Sequence, residues 1–305
     1  MATAKGVTGE ADESPAPAVD IAVTPRAHIR NPGQAVLTIL GTAFFLFFML
    51  FPFYFMLIVS LKPNSDLYNL HANPFILTSV TLDHFAYLFE KTNFPRWLFN
   101  SILVTLVSTA FSLVVSVMAG YSLGRLRFRG AGAIGWGMFI TYLIPPTLLF
   151  LPLTAVMARF GLLNNLWSVM LSYPTFLIPF STWLLVGYFK GIPRELEESG
   201  LVDGCTRLQA MWRIVLPLAT PGILSAAIFA FTLSWNEYIY ALVFLASGDL
   251  KTIPIGVTNE LIRGDYDYWG ELMAGALLGS VPVAVLYSFF VEHFVSGLTA
   301  GAVKG

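Results

Sequence analysis

Charge is scarce in this 305-residue sequence. Asp, Glu, Lys and Arg make up 11% of it, where a soluble domain carries roughly 25%. Such a deficit excludes a chain whose whole surface faces water. The net charge of −1 excludes the broad basic field that draws proteins to nucleic acid. One cysteine, Cys205, excludes an intrachain disulfide and a cysteine cage for a metal. The four histidines, His28, His71, His84 and His293, are scattered, with no HxxxH or HExxH spacing, so no metal site is expected. The sequence also lacks the GxxxxGKS or GxxxxGKT phosphate loop. Gly130, Gly132 and Gly135 do spell GxGxxG, the dinucleotide fingerprint. That motif needs a preceding strand and an acid about 20 residues on. Here it follows an arginine-rich loop, and the next acid is Glu195. No dinucleotide site is read from it.

What fills the sequence is apolar: 56% of residues are hydrophobic and the mean hydropathy is +0.71. Six stretches run without a charge, from Ala35, Trp97, Gly130, Phe160, Ile214 and Leu272. Each approaches or exceeds the ~20 residues that cross a bilayer as a helix. The expectation is an all-α polytopic membrane protein with six transmembrane helices, at about 35–61, 98–124, 132–157, 167–189, 216–246 and 270–294. Residues 1–33, rich in Ala, Pro and acids, read as a disordered tail, with the spans in 34–294 and a short tail at 295–305. Lys and Arg number eleven in the segments on the N-terminal side of the membrane and six on the other. The first of those loops holds Arg125, Arg127 and Arg129 without an acid. By the positive-inside rule both termini are cytoplasmic.

Prolines interrupt several spans, most pointedly Pro145 and Pro146 in the third. A proline removes a backbone donor and kinks a helix. The pair serves either as an ordinary packing kink or as a break beside a pathway. Small residues four apart, Gly120/Gly124 and Gly275/Gly279, suit close helix approach. Glu237 is the acid inside a span, and intramembrane ionisable groups usually face a cavity or a partner. It either braces the bundle or, with Asn236 and Tyr238, meets substrate hydroxyls along a translocation pathway.

The segment 190–217 reads KGIPRELEESGLVDGCTRLQAMWRIVLP. Pro193 can open a helix whose first turn carries Glu195, Glu197 and Glu198, where the positive dipole end favours acids. Leu196, Leu201 and Val202 give it an apolar stripe. Gly204 permits a turn into a second amphipathic helix with Leu208, Met211, Trp212 and Val215. Two short helices at a glycine hinge form a knob suited to a partner's groove. An interfacial helix on lipid headgroups is the bland alternative.

This segment resembles the signature of permeases of binding-protein-dependent ABC importers: Glu-Ala-Ala, three residues, Gly, nine residues, Ile-x-Leu-Pro. Glu198, Gly204, Ile214, Leu216 and Pro217 hold those spacings, while Ser199 and Gly200 stand where the signature has alanines. Asp203-Gly204 and the preceding IPRELEE resemble the carbohydrate-uptake branch, as do RLRFRG, Ile144-Pro145-Pro146, Trp235-Asn236-Glu237 and the terminal SGLTAGAVKG. The likeness covers about residues 35–305 and is to the maltose-type permease.

The resemblance implies a type I ABC importer permease fold with a cytoplasmic coupling-helix loop. It implies a transport subunit and not an enzyme, forming half the pathway for a sugar or related polyol. It also implies a homologous second permease, two ATPase subunits that bind the ATP and Mg, and an extracytoplasmic solute-binding protein. The chain itself then needs no cofactor. The C-terminal tail, too rich in small residues for a stable helix throughout, is expected to reach toward the ATPases. A secondary carrier or channel is the alternative, disfavoured because no repeated halves are visible. An excess of acids over bases in the outer segments, eight against six, mildly disfavours an anionic solute.

Overall fold

The structure is a computed structural model that describes residues 32–126, 128–263 and 266–302. The expected N-terminal tail up to residue 31, Arg127, Asp265 and the last three residues of the C-terminal tail lie outside them. The chain divides into two compact units at Leu50 and Phe51. In the first, helix α1 (Pro32–Leu61) begins, and it points phenylalanines outward, with Phe44 65% and Phe48 67% exposed. A helix with aromatics exposed on this scale suits lipid or a partner rather than water.

Among the described residues, the regular elements of the second unit are helices apart from one ribbon of two short strands, β1 (Ile262–Arg263) with β2 (Tyr266–Asp267). After the short α2 (Asn64–Leu67) and α3 (Asp83–Lys91) comes the long α4 (Phe94–Arg125). At about 1.5 Å per residue, its 32 residues outreach a hydrocarbon core of ~30 Å. Then follow α5 (Ala131–Leu143), α6 (Pro146–Arg159), α7 (Leu166–Ser172), α8 (Pro174–Gly191), α9 (Arg194–Val202) and α10 (Arg207–Ala210). A π-turn, Met211–Val215, joins α10 to α11 (Leu216–Trp235), and α12 (Ile239–Phe244), α13 (Ile253–Leu261) and α14 (Trp269–Ala302) complete the chain. Among the described residues five helical stretches are long and apolar enough to cross a membrane, in α1, α4, α7–α8, α10–α11 and α14, and six if the bent pair α5–α6 is one span.

Two expectations need revision. The third span is bent by 96° at Ile144–Pro145, because Pro145 and Pro146 both lack a backbone donor. The fifth does not run to 246: α11 ends at Trp235, and α12 restarts after Asn236–Tyr238. In the tail at 295–305 the described residues continue α14 through Ala302, and the last three lie outside them.

The second and fourth spans run parallel and touch closely. Ser108 Oγ donates to the Met170 carbonyl at 3.3 Å and Ser116 Oγ to that of Ile178 at 3.2 Å, an offset of 62 residues each time. The first bond has a definite cause. Pro174 sits four residues after Met170 and has no N–H to offer its carbonyl, so the serine supplies the missing donor. Farther along, a Cβ on Gly120 would lie 2.9 Å from Leu185 Cβ, and one on Gly124 3.1 Å from Phe189 Cβ. Only glycine admits this approach.

The Phe94 end of α4 is pinned as firmly. Trp97 Nε1 donates to the Gly248 carbonyl at 2.7 Å, and Asn100 Nδ2 to those of Asp249 and Lys251 at 2.9 and 3.0 Å. On α3 nearby, the buried His84 ring stands between Glu271 Oε1 (3.1 Å from Nδ1) and the Lys62 carbonyl (2.8 Å from Nε2). The hydrogen bond to the Glu271 carboxylate raises the His84 pKa above its ordinary value. A Cβ on Gly270 would lie 2.2 Å from this ring.

Candidate functional site

The knob anticipated at 190–217 is built from α9, a tight turn and the helix that begins at Arg207. Pro193, extended at φ −54° and ψ 136°, leads into α9. Directly after α9 the chain must reverse, and the reversal is a Schellman motif. Cys205 N–H bonds the Gly200 carbonyl at 3.0 Å, Gly204 N–H bonds that of Leu201 at 3.2 Å, and Gly204 is left-handed at φ +89°. Thr206 then caps the next helix with Gln209 in a reciprocal capping box. In the π-turn, Leu216 N–H reaches back to the Met211 carbonyl. Pro217 follows, where a regular helix would want a donor for the Arg213 carbonyl. The widened turn is where this proline is accommodated.

Of the coupling residues expected from sequence, Gly200 and Ile214 are brought together across this turn, and Gly204 makes the turn itself. A Cβ on Gly200 would lie 2.3 Å from Ile214 Cδ1, so the glycine standing in an alanine's place gives that methyl its seat. Leu216 and Pro217 begin α11, and Asp203 is the C-cap of α9. Glu198 and Ser199 face outward. The apolar stripe of α9 does not pack inward: Val202 is 88% exposed and Leu196 is exposed too. Across the turn Met211 and Val215 are buried, while Leu208 and Trp212 are exposed.

The anchor of the knob is Glu197, singled out in the sequence only as one of three helix-start acids. Its carboxylate is buried and takes two donors from α4: Tyr121 Oη at 2.6 Å and Arg125 Nε at 2.9 Å. Arg125 spends its other donors on the end of α8 and the link to α9. Nη1 reaches the Ile192 carbonyl at 2.6 Å and that of Phe189 at 3.4 Å, and Nη2 that of Pro193 at 3.2 Å. A helix's last carbonyls lack intrahelical partners and carry negative partial charge, so a guanidinium suits them doubly. Arg125, counted from sequence as a loop charge, is thus a buried hub. The available signal was the i, i+4 spacing of Tyr121 and Arg125, which puts both on one face of α4.

Two interruptions meet elsewhere in the unit. Tyr240 Oη donates to the Pro146 carbonyl at 3.0 Å, bringing the break of the third span against that of the fifth. Glu237 receives three donors: Tyr240 N–H at 2.8 Å, Ala241 N–H at 3.1 Å and Tyr173 Oη at 2.9 Å. Its carboxylate therefore caps the start of α12, in keeping with the bracing reading. Asn236 is exposed, and Tyr238 Oη donates to Asn259 Oδ1 at 3.2 Å. Pro145 and Pro146 are exposed as well.

Between α5, α8, α9 and α11 opens a cleft of about 1080 Å³, whose aromatic walls include Trp136, Phe139, Trp183 and Phe229. Among the described residues, Lys190 is the charged one lining it. Among the described residues no group of three or more His, Cys, Asp or Glu side chains could hold a metal ion.

Comparison with known proteins places this architecture. Residues 116–300 match the family described as the binding-protein-dependent transport system inner membrane component. The inner membrane ABC transporter permease protein YcjP of Escherichia coli (strain K12) is 35% identical over 268 residues, 87% of this chain and 95% of that one. The diacetylchitobiose uptake system permease protein DasC of Streptomyces coelicolor is 35% identical, covering 84% and 92%. The sulfoquinovosyl glycerol transport system permease protein SmoH of Agrobacterium fabrum is 36% identical, covering 84% and 89%. In fold, the chain resembles a chain of the crystal structure of a bacterial ABC transporter involved in the import of the acidic polysaccharide alginate. The TM-score is 0.75 at 20% identity, over 89% of this chain and 100% of that chain.

Proposed function

We propose a function from the premise that this chain belongs to the family of binding-protein-dependent transport system inner membrane components, as a multi-pass permease subunit of an importer. Its solute is a sugar or related glycoside or polyol. Relatives named for diacetylchitobiose, sulfoquinovosyl glycerol and arabinooligosaccharides support that class. The chain forms half of the pathway beside a homologous permease and receives solute from an extracytoplasmic binding protein. Hydrolysis takes place in two separate ATPase subunits, which hold the ATP and Mg. The knob docks on one of them through Glu198, Ser199 and the exposed face of α9. Both termini lie on the cytoplasmic side, a reading supported by the Lys/Arg excess there.

The observation that carries the docking reading is how α9 is presented. Its buried side is fixed by Glu197 and Gly200, and its free side offers Glu198 with the apolar Leu196 and Val202. Exposed apolar groups beside charge are what an interface needs. The test is recovery of the ATPase with the permease from solubilised membranes. Glu198→Lys reverses an exposed charge. Gly204→Val forces a β-branched residue into a left-handed conformation. Both variants should reach the membrane and bring down less ATPase than the wild type. Undiminished recovery with both would sink the docking reading. Topology has its own check. In a Cys205→Ser background, Arg129→Cys should label from the cytoplasmic side and Asp249→Cys from outside.

A further inference from the structure

We propose that Arg125 is a positioning residue that makes α9 move as one body with the second and fourth spans. The inference rests on the docking reading above and deepens it. By chain continuity alone, a displacement of α9 would pass through Ile192–Pro193 into α8, the fourth span, and through the Gly204 turn into α11, the fifth, but not into the second. The links on either side of α9 are short, Ile192–Pro193 before it and the turn at Asp203–Thr206 after it. Neither fixes its orientation against the bundle. The guanidinium does, because one rigid planar group holds three elements together. It lies on α4, it binds the carboxylate of α9, and it binds the Phe189, Ile192 and Pro193 carbonyls at the end of α8. Tyr121 adds a second bond from α4 to the same carboxylate.

Behind this hub the two long helices have no slack. Gly120 and Gly124 let α4 lie directly on Leu185 and Phe189, and Ser108 and Ser116 bond across at a constant offset. A packed contact of this kind shifts as a unit instead of deforming. The Arg125–Glu197 pair is also dry, with side chains 2% and 9% exposed, so water does not replace the bond when α9 is pushed. The consequence is a second route for the push. It enters the second span directly at Tyr121 and Arg125 and engages the fourth with it, besides the routes along the chain.

The test uses the whole complex, permease with its ATPases, carrying Met118→Cys on α4 and Glu195→Cys on α9 in a Cys205→Ser background. Both positions are exposed, and neither touches the hub. Spin labels there report the α4–α9 distance in nucleotide-free complex and in complex trapped with ATP and vanadate. The expected result is one unchanged distance in both states. Glu197→Gln, nearly the same shape without the charge, should make the distance shift on trapping, and Arg125→Lys, without the forked geometry, should do so in part. A general loss of stability would broaden both states alike, whereas loss of the hub adds a nucleotide-dependent shift. A wild-type distance that shifts on trapping, or a Glu197→Gln distance that does not, overturns the proposal. Failure of the docking reading looks different: the ATPase would co-purify unchanged with Glu198→Lys and Gly204→Val. A wild-type chain that brings down no ATPase would overturn both.

Discussion

The unit from Phe51 onward holds a buried ion pair toward each end of α4, and the two join a glutamate to different bases. Near its last residue, Arg125 meets Glu197. Near its first, His84 meets Glu271. Each pair ties a short helix, α9 or α3, to a long one, and each is backed by a main-chain carbonyl: Ile192 for the arginine, Lys62 for the histidine. The difference is in the cation. A guanidinium keeps its charge at every physiological pH, whereas an imidazole changes charge close to neutrality. One fastening is therefore permanent and the other conditional on protons.

The largest effect should come from breaking the permanent one. Arg125→Ala leaves the Glu197 carboxylate buried without its cation and strips donors from three carbonyls. Removing one partner of such a pair costs about 3–5 kcal/mol. Thermal unfolding of the purified protein should show that loss, and Tyr121→Phe, which removes one hydrogen bond, should cost about 1 kcal/mol. Equal effects would mean that the arginine is not the hub.

How much of this was legible beforehand follows from the range of each interaction. The turn at Gly204 is local: a run of acids, an apolar stripe and a glycine lie within a dozen residues, and the Schellman motif sits where they predict. The Pro145–Pro146 break was legible as a position, but its 96° angle was not, since two missing donors say where hydrogen bonding fails and not where the next helix packs. The Glu197–Arg125 pair joins residues 72 apart, and nothing nearby separates Glu197 from Glu195 or Glu198. Orientation around α9 decides, and that depends on contacts with α4. The triplet Asn236–Glu237–Tyr238 was noticed as polar within an apolar run, yet read through as one span. Its polarity was itself the sign of a break, because Glu237 serves the free N–H groups of a new helix start.

The second comparison concerns glycines at the two fastenings. Gly270 lies under the His84 ring, which is held on both sides and has nowhere to go, so Gly270→Ala should cost about 1–3 kcal/mol by overpacking. At Gly200 the obstacle is one terminal methyl of Ile214, which can rotate aside. The gain of up to about 1 kcal/mol from alanine in a helix then offsets the shift. Gly200→Ala should leave the unfolding temperature nearly unchanged, and a large drop would mean that Ile214 is locked in place.

Third comes pH. Glu271 holds the protonated imidazole, so the folded-state pKa of His84 is raised above its unfolded value near 6.5. Asp83 on its own helix acts in the same direction, and burial opposes both. The stabilisation is therefore complete below the unfolded pKa and is lost as pH rises through the folded value. Unfolding temperature should fall across that interval in the wild type, and His84→Gln should flatten the fall. A wild-type profile that rose with pH over the same interval would reverse the assignment.

The smallest expected effect on stability is also the most informative about the knob. Glu197 and Glu198 are adjacent on one helix turn and chemically identical, yet α4 claims only the first. Glu198 faces outward, and substitution of an exposed residue away from caps and cores usually changes stability by no more than about 0.5 kcal/mol. Glu198→Ala should therefore unfold at the wild-type temperature. Glu197→Ala should unfold much earlier, because it abandons a buried guanidinium. Recovery of the ATPase should separate the two in a different way. Glu198→Ala should lose partner while keeping its fold, whereas any loss with Glu197→Ala should track its instability and return on cooling. If Glu198→Ala proved as unstable as Glu197→Ala, the outward side of α9 would be part of the fold and not a surface kept free for a partner.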